Sequence, residues 1–506
     1  MRVESQKALK DNNASRSPNP RQVGLLVCMA AAAVLVHGYH PYAEDAEIYV
    51  PGIKKLLNPA LYPHNNEFFA SHAGMTMFPN LIAGSVRLTH LSLEWMLLGW
   101  HFACILLLLT GCWKLGRICF ASSRAACGSA ALVASLLTIP VAGTALYIMD
   151  QYLNPRGFST AAAPWIILAV IQKKHLRAVV WAVLTALIHP LMVVFTLGFG
   201  ILLIWRSRFS ERSAMTLNPV SAPLILPIMF LPPVTRAYQQ ALNGHSYFFL
   251  LRWEWYEWLG IFGPLAILWW FRRIALRRRL ELLETLCSTG IIFGVLCFVV
   301  ALVITVPSQL TRLVELQPMR GLLLIYVLLF IFGGGLLAEH VLKAKLWRWL
   351  AVFVPICAGM LYAQRQLFPS TQHVELPGRS PGNEWIQAFV WIRDNSPVGA
   401  YFALDPDHMR LPGEDQQGFR AVAERSMLVD QVKDSGAVTM FPALAGRWLE
   451  QVTDEQGWKN FGRNDFDRLG GKYGVDWVVL DQPGVGGLEC PYQTPKLMVC
   501  RIGHQQ

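Results

Sequence analysis

The chain has little charge. Of its 506 residues only 15% are Asp, Glu, Lys or Arg, and 54% are hydrophobic, where a soluble protein carries about 25% charged residues. That scarcity excludes a wholly water-soluble globule and predicts a multi-spanning membrane protein with room for one further soluble domain. The ten cysteines include no CxxC pair and no zinc-like spacing. Eight of them lie in or beside hydrophobic segments, where a free thiol behaves as a small apolar residue. No P-loop or HExxH occurs, and no GxSxG or GxGxxG stands in a strand-turn-helix context, so soluble nucleotide chemistry has no support. There is no internal repeat, and no low-complexity tract beyond the polar start of the chain, whose composition predicts disorder. A signal-cleavage site is missing too. The apolar run 23–36 follows basic residues, but His37-Gly38-Tyr39-His40 stands where a small-x-small site would be, so the run reads as an uncleaved first membrane helix.

Apolar runs fall near 23–38, 94–118, 126–148, 157–172, 178–189, 190–205, 217–232, 258–271, 282–305, 319–338 and 347–363. They amount to about eleven spans, several of them shorter than the ~20 residues a straight span needs. The pair broken at His189-Pro190 reads as a kinked or re-entrant unit, and 73–90 as an interfacial or half-embedded helix. With a cytoplasmic N-terminus, the basic clusters, such as Arg272, Arg273, Arg277, Arg278 and Arg279, all fall on the inner side. The outer side keeps Lys54, Lys55, Arg87, Arg156, Arg236, Arg252, Arg312 and Arg320. This alternation explains the net charge of +11 without nucleic acid as a partner.

The expected fold class is thus an α-helical polytopic membrane protein with a small C-terminal periplasmic α/β domain. Its parts are a cytoplasmic tail at 1–22, a membrane domain at 23–363 with a long first outer loop at 39–73, and the periplasmic domain at 364–506. In that last part 385–392 reads as a short amphipathic helix, Asp394-Asn395-Ser396-Pro397 as a turn, and 400–404 and 477–480 as short buried strands. Cys490 and Cys500 can form a disulfide if this part lies outside the cytoplasm.

Charge inside a bilayer is costly, so polar chemistry gathers at helix ends and in water-filled cavities. Glu44 and Asp45 stand just after the first apolar run, in an outer loop long enough to be more than a connector. The same loop holds Tyr49 and Lys54. Asp150 is a second isolated carboxylate at the same level, followed by Arg156. Residues 252–258 read Arg-Trp-Glu-Trp-Tyr-Glu-Trp; this suits either the usual membrane-interface belt or, with Arg252, a platform for a sugar or lipid-linked pyrophosphate. Arg312 and Arg320 flank Glu315 on the side where Arg is disfavoured. A phosphate site explains them, since guanidinium binds phosphate bidentately; a salt bridge to Glu315 or to the C-terminal domain is the plainer reading.

These features together resemble the GT-C superfamily of integral-membrane glycosyltransferases, which use polyprenyl-phosphate-linked sugars. The shared pattern is a first helix leading outward, an acidic pair in a long first outer loop, a second acid in the next outer loop, and a terminal periplasmic domain. The stretch Asn383-Glu384-Trp385 through Ser396-Pro397 is similar to the helix and turn that open the soluble part of many bacterial members. Gly418-Phe419-Arg420, Glu424-Arg425-Ser426 and Asp430 look like bacterial relatives of uncharacterised activity. The resemblance implies transfer of a sugar from a lipid-linked donor to a glycan, lipid or protein acceptor at the bacterial inner membrane. Asp45 would take the acceptor proton, with Glu44 second. Arg312 and Arg320 would stabilise the leaving phosphate, with Arg252, Arg156, Tyr49 and Lys54 completing the donor site. Some members of the superfamily add a divalent metal, Mg or Mn, and Asp45 with Asp150 are the residues that could hold one here; the sequence leaves the cofactor open. The alternatives are a non-catalytic cell-envelope glycan assembly protein, in which Asp45 is dispensable, and a lipid-linked glycan transporter, which would usually show internal repeats.

Overall fold

A computed structural model of the chain describes residues 18–209, 234–379 and 382–503. The expected span at 217–232, and the N-terminal tail as far as residue 17, lie outside the described residues. Asn19 starts the first helix. Its side chain accepts the Gln22 N–H at 2.9 Å, the Gln22 side chain accepts the Asn19 N–H at 3.0 Å, and Pro20 takes the first helical position, where an N–H would go unbonded anyway. The apolar helix Pro20–His37 ends at Gly38, whose φ is 82°.

Six described stretches are long and apolar enough to cross a membrane: Pro20–His37, Leu93–Phe120, Trp255–Arg278, Glu281–Thr305, Leu310–Leu342 and Leu346–Leu367. Three apolar helices are shorter, Pro155–Ile171, His175–Ile188 and Pro190–Arg206. The break at His189-Pro190 separates the last two, because Pro190 has no N–H to continue the earlier helix. The helix Leu322–Leu337 is apolar on every side and buried along its length, the mark of a central element. It meets Ser123–Ser135 at Gly128 and Gly334, where a Cβ on either glycine would strike the other's carbonyl. Ser129 Oγ donates across this contact to the Ile331 carbonyl at 2.7 Å. Small residues of this kind let membrane helices approach closely.

Two expectations from the sequence need correction. The run 126–148 is not one span: the helix Ser123–Ser135 ends, and an irregular segment follows to Asn154. Pro140 lacks an N–H, Ala142 and Ala145 have positive φ, and Leu137, Val141, Leu146, Ile148 and Met149 are buried. The segment is apolar because protein covers it, and irregular backbone at membrane depth survives only when so buried or lining a cavity. The first outer loop, expected as a connection with Pro-pinned turns, is largely helical, with Ala46–Leu57 and Glu67–Gly74, whereas the helix Phe78–Thr89 falls within 73–90, where the sequence predicts one.

The C-terminal part is a mixed α/β unit. Asn383 caps the helix Glu384–Asn395 by accepting from the Trp385 and Ile386 N–H groups at 2.8 and 3.3 Å. The strands are β1 (Tyr401–Ala403), β2 (Ser426–Met427), β3 (Trp477–Asp481), β4 (Glu489–Gln493) and β5 (Leu497–Arg501), in the order β2-β1-β3-β5-β4. β2, β1 and β3 run parallel, and β5 and β4 add an antiparallel hairpin. The sequence reading missed β2, β4 and β5. Pro491 sits in β4, the edge strand, where a missing donor is tolerated. Cys490 and Cys500 form a disulfide between β4 and β5.

Candidate functional site

The first outer loop is stitched to the C-terminal unit through backbone bonds. Tyr39 N–H donates to the His373 carbonyl at 3.0 Å, Gly418 N–H to Tyr42 at 2.9 Å, and Glu44 N–H to Gln416 at 2.8 Å. Glu44 is held with φ at 55°, a left-handed conformation that costs a non-glycine residue roughly 1–2 kcal/mol and is kept only when its surroundings fix it.

The next helix is anchored by Glu47, which is fully buried. Its carboxylate accepts the N–H groups of Arg420 and Ala421, both at 3.0 Å, and lies 3.4 Å from the Arg420 guanidinium. A Cβ at position 418 would collide with the Glu47 side chain, so glycine is required there. Arg420 in turn holds Asp434 with two bonds, at 3.0 and 2.6 Å. Asp434 and Lys433 open the helix Lys433–Met440. This chain of contacts delivers the Lys433 ammonium between the acidic pair, 2.6 Å from Glu44 Oε2 and 3.0 Å from Asp45 Oδ1.

The second acid arrives from the opposite side. Asn154 caps the helix Pro155–Ile171 by accepting the Gly157 N–H at 3.0 Å, and its amide donates to Asp150 Oδ2 at 2.6 Å. Pro155 sits in the first helical turn, and Arg156 follows it. The Arg156 guanidinium bridges Asp45 Oδ2 at 3.0 Å and Asp150 Oδ2 at 3.2 Å.

These groups line a cavity of about 690 Å³, within the range typical of small-molecule sites. Its wall takes Glu44, Asp45 and Tyr49 from the first loop, Asp150, Tyr152 and Arg156 from the second, Tyr247 and Arg320 from later segments, and Lys433 from the C-terminal unit. Burial disfavours the ionised form of Asp45, but Lys433 and Arg156 outweigh it and hold the carboxyl well below the usual range. Burial likewise opposes the charge on Lys433, yet Asp45 and Glu44 hold the ammonium above its ordinary range. His245 also lines the wall; burial, with Lys433 beside it, brings it down to about 4, so the ring is neutral at pH 7. Arg320 differs from the other cations. It lines the cavity, its Nε has no hydrogen-bond partner among the described residues, and no described carboxylate pairs with it. The ring of Tyr247 lies 6.0 Å from its guanidinium.

Of the residues singled out in the sequence, Glu44, Asp45, Tyr49, Asp150, Arg156 and Arg320 thus share one cavity. Three expected donor-binding residues lie outside its lining. Arg312 is not part of the wall. Arg252 bonds Asn243 at 3.0 Å and stacks 4.2 Å from the Phe249 ring centroid. Lys54 pairs with Glu424 at 2.7 Å and lines a separate cavity. A metal between Asp45 and Asp150, the pair that could hold one, does not fit, because the Arg156 guanidinium already bridges these two carboxylates. Among the described residues, no group of three or more His, Cys, Asp or Glu is arranged to hold an ion, and that includes the acidic stretch from Asp405 to Asp415. Sequence reasoning missed Lys433, which stands between Asp430 and Asp434 with no local pattern to single it out.

No protein-family model matches the chain, and no curated protein matches it.

Proposed function

We propose that the chain is a membrane glycosyltransferase of the GT-C kind, moving a sugar from a polyprenyl-phosphate-linked donor to a cell-envelope acceptor. On this reading it is a multi-pass protein of a bacterial inner membrane, its N-terminus cytoplasmic and its C-terminal unit periplasmic. The observation that carries the proposal is Arg320, a half-buried residue whose Nε is buried and unbonded and which has no carboxylate partner among the described residues, in the same cavity as Asp45. A charged group with a buried, unbonded N–H is unfavourable, and an anionic ligand such as the lipid phosphate of the donor would complete it.

The chemistry follows from the charges. An acceptor hydroxyl attacks the anomeric carbon, the bond to the lipid phosphate breaks, and the phosphate leaves with the electron pair. Arg320 stabilises the charge growing on that phosphate. The ionised carboxylate of Asp45 faces the positive charge that develops on the sugar in an oxocarbenium-like transition state. Asp45 is a weak base, because Lys433 and Arg156 keep it ionised. A weak base suffices if the proton leaves after the new C–O bond has made the acceptor oxygen cationic and strongly acidic. Lys433 and Arg156 fix the carboxylate's position.

One observation favours the assembly-protein reading instead. Glu44, Asp45 and Asp150 each have an internal cation partner, as they would in a purely structural junction. Membranes containing the wild-type chain, given radiolabelled polyprenyl-phosphate sugars, separate the two. Transferase activity predicts release of polyprenyl phosphate with sugar appearing on an acceptor, and at least a tenfold loss in Arg320→Ala, since about 1.4 kcal/mol of lost phosphate stabilisation suffices. Turnover by Arg320→Ala equal to that of wild type would remove the donor-phosphate assignment.

A further inference from the structure

A second cavity, of about 560 Å³, shares no lining residue with the first. Its wall joins the first loop, the start of the spanning helix Leu93–Phe120, the segment after the last spanning helix, and the helix Glu384–Asn395. Its charged lining groups are of both signs, Lys54, Arg379 and Arg393 against Glu94 and Glu375. Lys54 pairs with Glu424 at 2.7 Å, Arg393 with Asp394 at 2.9 Å, and Glu375 contacts His40 at 2.7 Å. Glu94 accepts from the Tyr42 hydroxyl at 3.1 Å. The cavity therefore offers hydrogen-bond donors and acceptors of both kinds without a charge of one sign to attract an ion.

Two further features point to a ligand. Tyr39 lines the cavity and is fully buried, and its hydroxyl has no hydrogen-bond partner among the described residues; such a group ordinarily costs about 1–3 kcal/mol unless something bonds it. Trp95, half exposed at 50% in the first turn of its helix, lines the cavity together with Tyr42 and Glu94 and offers it an aromatic ring. Carboxylate acceptors, phenol donors and an open aromatic face are the groups that bind a polyhydroxylated ring, whose hydroxyls both give and take hydrogen bonds and whose C–H face packs on an aromatic.

We propose that this cavity is a binding site for a neutral saccharide, separate from the cavity around Asp45. The proposal does not rest on the transferase reading, since it uses none of that cavity's residues. The position of Trp95 at the start of a spanning helix makes the site reachable both by a free glycan and by a glycan carried on a membrane lipid.

The test uses the full chain in phosphatidylcholine nanodiscs, applied to an array of neutral, anionic and amino oligosaccharides. The expected result is capture of at least one neutral glycan. Glu94→Gln and Trp95→Ala should each weaken that capture about tenfold or more, the effect of losing one charge-assisted bond or one stacking face, whereas Asp45→Asn should leave it unchanged. Trp95 is exposed enough that its loss leaves the fold intact, so the two variants check each other. The same glycan presented on a lipid in the nanodisc then identifies the source: tighter capture assigns a glycolipid, and equal capture a free glycan. No glycan captured, capture of anionic glycans alone, capture unaffected by both Glu94→Gln and Trp95→Ala, or capture lost in Asp45→Asn would each overturn the proposal.

Discussion

Lys433 and Asp45 are 388 residues apart in the chain and 3.0 Å apart in space. The C-terminal unit thus completes the cavity, supplying a second cation to Asp45 beside Arg156 and the cation that pairs with Glu44. Replacing Lys433 with Gln removes the charge but keeps most of the volume. The expected outcome is a loss of sugar transfer of about tenfold or more, with Lys433→Arg retaining part of it, measured at matched protein level in membranes. Unchanged transfer in Lys433→Gln would mean that the bridge is structural only.

Arg420 is the buried link between Glu47 on the first loop and Asp434 beside Lys433. Arg420→Ala leaves two buried carboxylates without their cation, a loss of about 3–5 kcal/mol for pairs of this kind. Thermal unfolding in detergent should fall sharply, and limited proteolysis should release the C-terminal unit. Arg420→Lys should fall between wild type and Arg420→Ala, because an ammonium keeps the charge but not the two-pronged bond to Asp434. Wild-type stability in Arg420→Ala would contradict the role assigned to this link.

The same junction predicts a pH dependence. Asp430 is fully buried; burial, with Asp434 adjacent, pushes its carboxyl up to about 7. His408 faces it at 3.4 Å but is itself brought down to about 4 by burial, so it supplies no charge at neutral pH. Unfolded, Asp430 titrates near 4. Between about 4 and about 7 the folded state holds a proton that the unfolded state has released, so stability declines as pH rises through that window and is flat beyond it. Asp430→Asn, which mimics the protonated form, should reduce this decline and raise the melting temperature at pH 8. An unaltered pH profile would count against the buried, protonated carboxyl.

Glycine packing gives a prediction within the membrane part. Gly334→Ala forces a Cβ against the Gly128 backbone and should destabilise by about 1–3 kcal/mol, whereas Gly263, with nothing within 4 Å of a Cβ there, should tolerate Ala or gain slightly from its better helix propensity. Melting of the two variants in detergent compares them directly.

The membrane character, the break at His189-Pro190, the helix at 384–395 and the strands near 401 and 477 are all legible in the sequence, because periodicity, Asn caps and prolines act locally. The convergence of Asp45, Asp150, Arg156 and Arg320 was foreshadowed by their common level along the chain. What stayed hidden depends on distant contacts. Hydropathy does not distinguish a segment covered by lipid from one covered by protein, so 126–148 looked like a span. Lys433 carries no signal of its own; only Arg420 and Asp434, placed by Glu47, bring it to the acidic pair. Arg312 and Arg320 looked equivalent as neighbours in sequence, and only packing puts Arg320 in the wall of the cavity and leaves Arg312 out of it.

The most direct test of the central claim compares lipid-linked sugar turnover in membranes carrying wild type and Asp45→Asn at equal protein level. Asn keeps the shape of the side chain and removes its negative charge. The account predicts turnover by wild type that vanishes in Asp45→Asn, with the variant still folded and its Cys490–Cys500 disulfide still formed. Equal turnover in both would contradict the assignment of the chemistry to this cavity.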